Sequence, residues 1–308
     1  MFPESVMRWG RQWPMRTQVW GNRRRPKTRT YHLRRGGRQG IAVSEFSRDC
    51  LAHLMDYPDL PIHLNPRQIV KTDLTTLLLR TELRVSSGPV EVAYKRIQRR
   101  TLIKTLTSIL RPGRLLRSWR VGHHLLARDV ATPRPYAVIA APWYAWRADG
   151  YLMTQWITGA VPADVFVNGL AHEKPHVRHK VLQAAAVELG RLIGQLHAAQ
   201  VAHRDLKAGN LLLRQEQGQT VGAWVIDLEG AAIVTRISWA RRYKNLARLA
   251  VCFQNDPQIP HSVKLRFCRA YLDVCQEDCQ NWKSFWRALS LQSQRLWSRK
   301  QRRKTARV

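Results

Sequence analysis

Residues 203–210, with the sequence HRDLKAGN, constrain the fold of this chain more than any other segment. They place a carboxylate, Asp205, in a polar loop and an amide, Asn210, five residues later. A hydrophobic strand then leads to a second carboxylate, Asp227. This order predicts a loop and a strand that meet at a phosphoryl-transfer site, where Asp205 accepts the proton of an acceptor hydroxyl.

Each of the other groups at this site is suited to one role. Asn210 and Asp227 offer hard oxygen ligands and are predicted to hold Mg²⁺ against the phosphates of ATP. The ammonium of Lys207 is predicted to neutralise the phosphoryl group as it moves. An ordinary helix, loop and strand with chance polar residues is the alternative, but the motif matches without a gap.

Lys95 is the candidate lysine that contacts the α- and β-phosphates. It lies in residues 90–97, a predicted strand with apolar residues on one face. No G-x-G-x-x-G sequence precedes it, so we expect the loop that covers the phosphates at residues 71–76. There the hydroxyls and backbone N–H groups of Thr72 and Thr75 would bind phosphate, unless the segment is a plain turn.

Several segments together resemble the lipopolysaccharide kinase family (Kdo and heptose kinases, WaaP- and InaA-like), a divergent branch of the protein-kinase-like fold. The resemblance covers roughly residues 63–275. It implies an α+β, two-lobed fold with a small, mostly antiparallel β N-lobe and a helical C-lobe. It also implies ATP with Mg²⁺ as the donor and a sugar hydroxyl of a bacterial surface glycolipid as the acceptor. The segments that carry it are residues 91–97, 117–126, 131–135, 203–210, 226–229 and 244–249.

The sequence departs from the protein-kinase pattern at three places. No Asp or Glu lies between Lys95 and Asp129. The helix predicted at 115–128 therefore lacks the glutamate that would pair with Lys95, unless Asp129 or a residue from elsewhere replaces it. Leu-Glu follows Asp227 where a protein kinase has Phe-Gly, and no A-P-E follows. The chain passes almost directly into a basic helix, which disfavours a protein substrate docked on an activation segment.

The order of predicted elements fits one catalytic unit with basic ends. Residues 1–62 are predicted to be a basic N-terminal extension with one helix near 44–57, residues 63–157 the N-lobe, and residues 158–308 the C-lobe with a basic tail. In the hinge between the lobes, Gln155 and Ile157 are predicted to pair with adenine through their backbone groups. Strands are expected near 68–72, 76–85, 91–97, 136–141 and 151–157, and a long apolar helix near 179–200.

The net charge of +31 calls for an anionic partner. Acidic residues are absent from 5–44 and after Asp278, so both ends of the chain are cationic. Three tryptophans near the N-terminus (Trp9, Trp13 and Trp20) lie among arginines and suggest a segment at a membrane interface, with a flexible tail as the alternative. An anionic membrane surface is the predicted partner, and nucleic acid is not excluded because it also presents phosphates.

The sequence predicts a cytoplasmic protein, peripheral on the inner face of the cytoplasmic membrane. No signal peptide or membrane-spanning run of apolar residues is recognisable. The five cysteines are odd in number and scattered, which favours a reducing compartment. Three of them, Cys268, Cys275 and Cys279, have the spacing of one buried helix face and are predicted to be core thiols.

Other functions fit part of the sequence. The missing helix glutamate and glycine-rich loop would suit a catalytically silent kinase fold that acts as a binding module, and charge alone would suit a nucleic-acid-associated protein. Lys207 would also suit a small-molecule or Ser/Thr phosphotransferase. Residues 172–176, HEKPH, match the zinc-peptidase pattern H-E-x-x-H, but Pro175 would interrupt the helix that this chemistry needs.

Overall fold

A computed structural model gives the fold of the chain and describes residues 28–98, 113–140, 149–216, 221–254, 256–275 and 282–305. The tryptophan-containing segment predicted to lie at a membrane interface falls outside these residues, and so does Cys279. The other two cysteines that we predicted to be core thiols, Cys268 and Cys275, are buried.

The first lobe is built on an antiparallel sheet of seven strands of the described chain. They are β1 (Thr30–Arg35), β2 (Arg38–Val43), β3 (Ile69–Thr72), β4 (Thr76–Val85), β5 (Gly88–Ile97), β6 (Pro135–Ala140) and β7 (Gly150–Gln155). Their order across the sheet is β1-β2-β6-β7-β5-β4-β3. Side chains alternate between the two faces of a strand, so Val92 and Tyr94 of β5 are buried on one face and Lys95 lies on the other.

The sheet begins earlier than the sequence predicts. Residues 1–62 are predicted to be an extension, but β1 and β2 form a hairpin in which Ile41 pairs with Val138 of β6. The sheet therefore begins at Thr30. The hairpin is rich in arginine, as a basic tail would be. A strand can carry these arginines because β1 lies at the edge of the sheet and is mostly exposed. The division of the chain at residue 157 stays a prediction.

Helix α1 (Arg48–Asp56) corresponds to the helix predicted near residues 44–57. Ser47 caps its N-terminus, where the hydroxyl accepts a hydrogen bond from a backbone N–H of the first turn at 3.3 Å. The apolar side of α1 packs against the hairpin, and a Cβ at Gly40 would lie only 2.7 Å from the Sδ of Met55. Glycine at this position therefore lets the helix lie close to the sheet.

The second lobe is mainly helical and has its own buried core, as predicted. The remaining elements of the described chain are α2 (Leu60–Leu64), α3 (Arg114–Leu126), α4 (Ala163–Gly169), α5 (Pro175–Ala198), α6 (Trp239–Cys252), α7 (His261–Val274), α8 (Trp282–Thr305), β8 (Val161–Pro162), β9 (Val201–His203), β10 (Leu211–Gln215), β11 (Val221–Val225) and β12 (Ala231–Ile233). Helices α5 and α7 form the centre of this lobe, and they pack so closely that a Cβ at Gly190 would lie 2.5 Å from the Phe267 carbonyl oxygen. No helix among the described residues is both long enough and apolar enough to cross a bilayer.

Helix α5 leads the chain to the predicted catalytic loop. It begins at Pro175, four residues before the predicted start, because a proline fits the first turn of a helix. His172 lies in a separate short 3-10 helix, so the two histidines of the H-E-x-x-H match do not share one helix. Strand β9 follows α5 and pairs with β12, while β10 pairs with β11. The loop between β9 and β10 therefore lies beside the turn between β11 and β12.

Candidate active site

The loop between β9 and β10 holds Asp205 and Asn210 together. The amide nitrogen of Asn210 donates hydrogen bonds to the main-chain oxygen of Asp205 at 2.8 Å and to its carboxylate at 3.2 Å. A spacing of five residues thus allows one side chain to close the loop. Because the amide nitrogen of Asn210 is used for Asp205, the amide oxygen of Asn210 is left for another ligand.

Lys207 lies beside the carboxylate of Asp205. Its Nζ is 2.9 Å from Asp205 Oδ2, and both side chains are about half exposed. Partial burial alone would raise the pKa of Asp205, but hydrogen bonds from Lys207 and Asn210 outweigh it and hold the pKa below its usual range. Asp205 is therefore ionised at neutral pH, as a group that accepts a proton must be.

Asp227 follows β11 and is fixed beside the catalytic loop. The N–H of Ile226 donates to the carbonyl of Asn210 at 3.0 Å. Asp227 itself has φ 57° and ψ 54°, a left-handed conformation that is uncommon in residues other than glycine. Strained residues of this kind cluster at active sites.

Lys95 reaches Asp227 from the first lobe. The two residues are 132 positions apart in the sequence, but Lys95 Nζ lies 2.9 Å from Asp227 Oδ1. The structure thus brings together the lysine of β5, the acid after β11 and, through Asn210, the acid of the catalytic loop. The cleft between the two lobes is where these groups meet.

Glu229 also contacts Lys95, and the sequence analysis did not identify it. Its Oε1 lies 2.5 Å from Lys95 Nζ, and its side chain is only 16% exposed. Burial alone would lower the pKa of Lys95, but the attraction of Glu229, and then of Asp227, raises it, so the ammonium keeps its charge. In the sequence, the only signal for this contact is the Leu-Glu that replaces Phe-Gly after Asp227.

A buried polar network holds the start of the catalytic loop. Asn245 of α6 accepts a hydrogen bond from the N–H of His203 at 2.9 Å and contacts His197 Nε2 at 3.4 Å. Burial lowers the pKa of His197 to about 3, so its ring is neutral. Since the amide oxygen of Asn245 can only accept, His197 Nε2 donates and its Nδ1 accepts from the hydroxyl of Tyr271, 2.9 Å away.

The predicted phosphate-covering loop is a short turn between β3 and β4. Asp73 N donates to Thr76 O at 2.7 Å, and the carbonyl of Thr75 accepts from Gln98 N at 2.8 Å. The turn lies at the end of the hairpin next to β5, and Leu78 of β4 is the cross-strand neighbour of Lys95. Among the described residues, no hydrogen bond connects Thr72 or Thr75 to the catalytic loop or to Asp227. That the two threonines bind phosphate stays a prediction.

The predicted hinge follows β7 directly. Gln155 N donates to Arg134 O at 2.8 Å, and Trp156 N donates to Glu91 O at 3.0 Å. Within the described part of the chain, the N–H of Ile157 is used by no protein acceptor. The backbone of Ile157 therefore has a donor available for a ligand, whereas that of Trp156 does not.

The segments that form this site match one family of known proteins. A sequence profile described as the lipopolysaccharide kinase (Kdo/WaaP) family matches residues 78–271, which is more than half of the chain. The match runs from β4 into α7 and contains the β5 lysine, the catalytic loop and the acid after β11. The chain belongs to this family. The resemblance predicted from the sequence motifs is thereby confirmed.

Curated relatives of this lipopolysaccharide kinase family member match over a short segment. A 3-deoxy-D-manno-octulosonic acid kinase of Haemophilus influenzae strain Rd is 38% identical over 71 residues, which are 23% of this chain and 28% of that protein. The enzyme of the same name from strain PittEE is 39% identical over 70 residues, 22% of this chain and 27% of that protein. The chain thus spans little more than a quarter of the length of the curated relatives it matches.

A solved structure of WaaP in complex with acyl carrier protein shares the fold of this family member. The TM-score is 0.56 at 20% sequence identity, and the likeness covers 78% of this chain and 92% of that one. At this identity the likeness concerns the fold alone. It confirms the predicted two-lobed, protein-kinase-like architecture.

The donor atoms at the site are of the kind that binds Mg²⁺. The amide oxygen of Asn210 and the carboxylate of Asp227 are hard ligands, and Mg²⁺ in nucleotide sites takes one or two protein ligands together with phosphate oxygens and water. No group of three or more His, Cys, Asp or Glu side chains within the described residues forms a metal cage. The residues present therefore fit a metal that arrives with a nucleotide.

Proposed function

We propose that this family member is an ATP-dependent kinase that transfers the γ-phosphoryl group to a sugar hydroxyl of a lipopolysaccharide-type glycolipid. The observation that carries the proposal is the contact of Lys95 with Asp227 across the cleft, with Asp205 tied to the same place through Asn210. Family membership and the names of the curated relatives support a sugar as acceptor.

On the acceptor side, Asp205 and Lys207 act as a pair. The ionised carboxylate of Asp205 accepts a hydrogen bond from the acceptor hydroxyl and takes its proton as the oxygen attacks phosphorus. The ammonium of Lys207, 2.9 Å away, places positive charge next to the transferred group. Both side chains are open to solvent, so a bulky acceptor can approach them.

On the nucleotide side, Lys95 contacts the α- and β-phosphates, and Thr72 and Thr75 cover them from the turn between β3 and β4. Gln155 and Ile157 bind adenine through their backbone groups, which agrees with the available N–H of the latter. Mg²⁺, held by Asn210 and Asp227, would neutralise charge on the phosphates.

The acceptor itself is proposed to carry negative charge near the reacting hydroxyl. Helix α6 presents Arg241, Lys244 and Arg248 on one face, and none of them forms an ion pair with an acid of the described chain. Helix α6 lies beside the start of the catalytic loop, because Asn245 of the same helix accepts a hydrogen bond from the N–H of His203 at 2.9 Å. The cationic face of α6 therefore leads to the catalytic loop.

We propose a peripheral position on the inner face of the cytoplasmic membrane. The last turns of α8 expose arginine and lysine side chains and no acids: Arg295, Arg299, Lys300 and Arg302. Each basic group near an anionic lipid surface adds about 1 kcal/mol of attraction. A glycolipid acceptor would be presented at that surface.

A second partner is suggested by an apolar cavity in the helical lobe. The cavity has a volume of about 280 Å³ and lies among helices α4 to α8, where its lining includes Leu182, Leu189, Leu246, Phe267 and Trp286. An acyl chain is the kind of ligand that such a lining accepts. Because the solved WaaP structure is a complex with acyl carrier protein, co-purification with an acyl carrier protein is the measurement that tests this partner.

The proposed reaction is tested by incubating the protein with ATP, Mg²⁺ and, in parallel, extracted glycolipid, free sugars and basic proteins. Asp205→Asn should lower kcat for the accepted substrate by about 10²–10⁴-fold, the range for loss of a general base. Asp49→Asn, on the exposed surface of α1, is the matched control. Binding of Mg·ATP without transfer to any acceptor would instead indicate a silent binding module.

A further inference from the structure

We propose that Glu229 positions Lys95, in place of the helix glutamate that protein kinases use. In protein kinases, the helix after the lysine strand carries this acidic partner. Here the corresponding helix is α3, and the sequence contains no Asp or Glu between Lys95 and Asp129. The inference rests on the proposed function and assigns the missing role to a residue of the turn after β11.

The two carboxylates around Lys95 differ in their surroundings. Asp227 is 35% exposed and faces the cleft, whereas Glu229 is 16% exposed. Solvent screens the more exposed carboxylate of Asp227, so its attraction for the lysine is the weaker one even without a metal, and a bound metal would reduce it further. Glu229 is then the partner that keeps the ammonium of Lys95 in place throughout the reaction.

The main chain around Glu229 is fixed from two sides. Arg117 of α3 donates a hydrogen bond to the carbonyl of Glu229 at 3.3 Å. The next carbonyl, that of Gly230, accepts from the N–H of Arg204 in the catalytic loop at 3.1 Å. Leu228 is buried in the core of the helical lobe. Arg117 of α3 thus helps to hold the turn after β11, and Glu229 of that turn supplies the carboxylate that pairs with Lys95.

This arrangement changes what the position of α3 can control. In protein kinases, displacement of the helix separates the glutamate from the lysine and switches the enzyme off. Here Glu229 and Asp227 are two residues apart in one turn. Outward movement of α3 would break the hydrogen bond from Arg117, but Glu229 would stay on the turn that Arg204 also holds, so α3 does not itself carry the partner of the lysine.

The test measures the affinity for ADP in EDTA, where no divalent cation connects the phosphates to the acids of the cleft. Lys95→Ala and Glu229→Gln should each weaken ADP binding about tenfold, the first because the phosphate contact is lost and the second because the lysine is no longer held towards the phosphates. Glu229→Asp keeps the charge on a shorter side chain and should weaken it less. Glu216→Gln is the matched control, since Glu216 pairs with Arg214 instead.

A double-mutant cycle decides whether Glu229 acts through Lys95. If it does, adding Glu229→Gln to Lys95→Ala changes the ADP affinity no further. Additive effects would overturn the proposal. An unchanged ADP affinity in EDTA, together with a higher Mg²⁺ concentration needed for Mg·ADP binding, would also overturn it, since Glu229 would then be a metal ligand. These outcomes need no acceptor, so they are distinct from a failure of the proposed reaction.

Discussion

Replacing Asn245 by leucine should displace the catalytic loop and leave the nucleotide side of the cleft intact. Asn245 is 4% exposed, and its amide oxygen accepts from the N–H of His203 at 2.9 Å. Leucine has a similar size but no acceptor, so a buried N–H loses its partner. That loss costs about 1–3 kcal/mol. With roughly 2–4 °C per kcal/mol for domains of 150–250 residues, the melting temperature should fall by several degrees.

The kinetic effect should be of about the same size in free energy as the effect on stability, since 10²-fold in rate corresponds to about 2.7 kcal/mol. His203 is two residues before Asp205, and the N–H of Asp205 donates to His203 Nδ1 at 3.2 Å. A shift of His203 therefore moves the base, and a displacement of about 1 Å can cost about 10²-fold in rate. The affinity for metal-free ADP, measured in EDTA, should change little, because Lys95 and the hinge belong to the other lobe, whereas the proposed metal ligand Asn210 lies on the displaced loop.

The assay compares kcat, ADP affinity in EDTA by calorimetry, and thermal melting for wild type and variant. Asn65→Leu is a suitable control. The amide of Asn65 donates to the carbonyl of Pro61 at 3.2 Å in the first lobe, so the substitution also removes one hydrogen bond. The control should lower stability without lowering kcat. A normal kcat for Asn245→Leu, or an equal loss of kcat in the control, would refute the role of Asn245 in holding the loop.

Three further results are expected. Lys207→Met should raise the pKa of Asp205, because the hydrogen bond from Lys207 that lowers this pKa is lost. Transfer needs the ionised carboxylate, so the acid limb of the kcat/KM profile should move to higher pH. Burial lowers the pKa of His123 to about 4 in the folded protein, so the unfolded chain binds its proton first and stability falls as the pH drops from about 6.5 towards 4. His123→Phe should reduce that fall in melting temperature between pH 7 and pH 4, and an unchanged pH dependence would contradict this reasoning. Truncation of residues 1–27, which stops short of β1, should weaken salt-sensitive binding to anionic liposomes while ATP use with a soluble sugar persists; tighter binding to duplex nucleic acid than to the liposomes would favour a nucleic-acid partner.

The parts of the site that the sequence predicts are those whose geometry is local. Asp205 and Asn210 are five residues apart because a side chain of that length closes the loop, and this spacing is visible in the sequence. Lys95 is recognisable because a period of two along β5 separates it from the buried Val92 and Tyr94. Each of these positions could be assigned from the residues immediately around it.

The parts that sequence analysis missed depend on contacts between distant segments. Glu229 meets Lys95 only after β5 and the turn beyond β11 have packed together, and the Leu-Glu after Asp227 does not by itself show which residue the glutamate contacts. The role of Asn245 could not be predicted either, because its partner His203 lies 42 positions away in the sequence. The hairpin of β1 and β2 was obscured by composition, since its exposed arginines match those of the preceding tail.

The distribution of charge separates two uses of basic residues in this protein. The chain has 52 Lys and Arg residues against 21 Asp and Glu. Within the cleft, however, Lys207 is matched by Asp205, and Lys95 by two acids, so the site itself has no excess of positive charge. Part of the excess lies outside the cleft, on the exposed faces of α6 and α8. The proposed phosphoryl transfer requires the first set of charges, and we propose that the second set attracts an anionic acceptor and the surface that presents it.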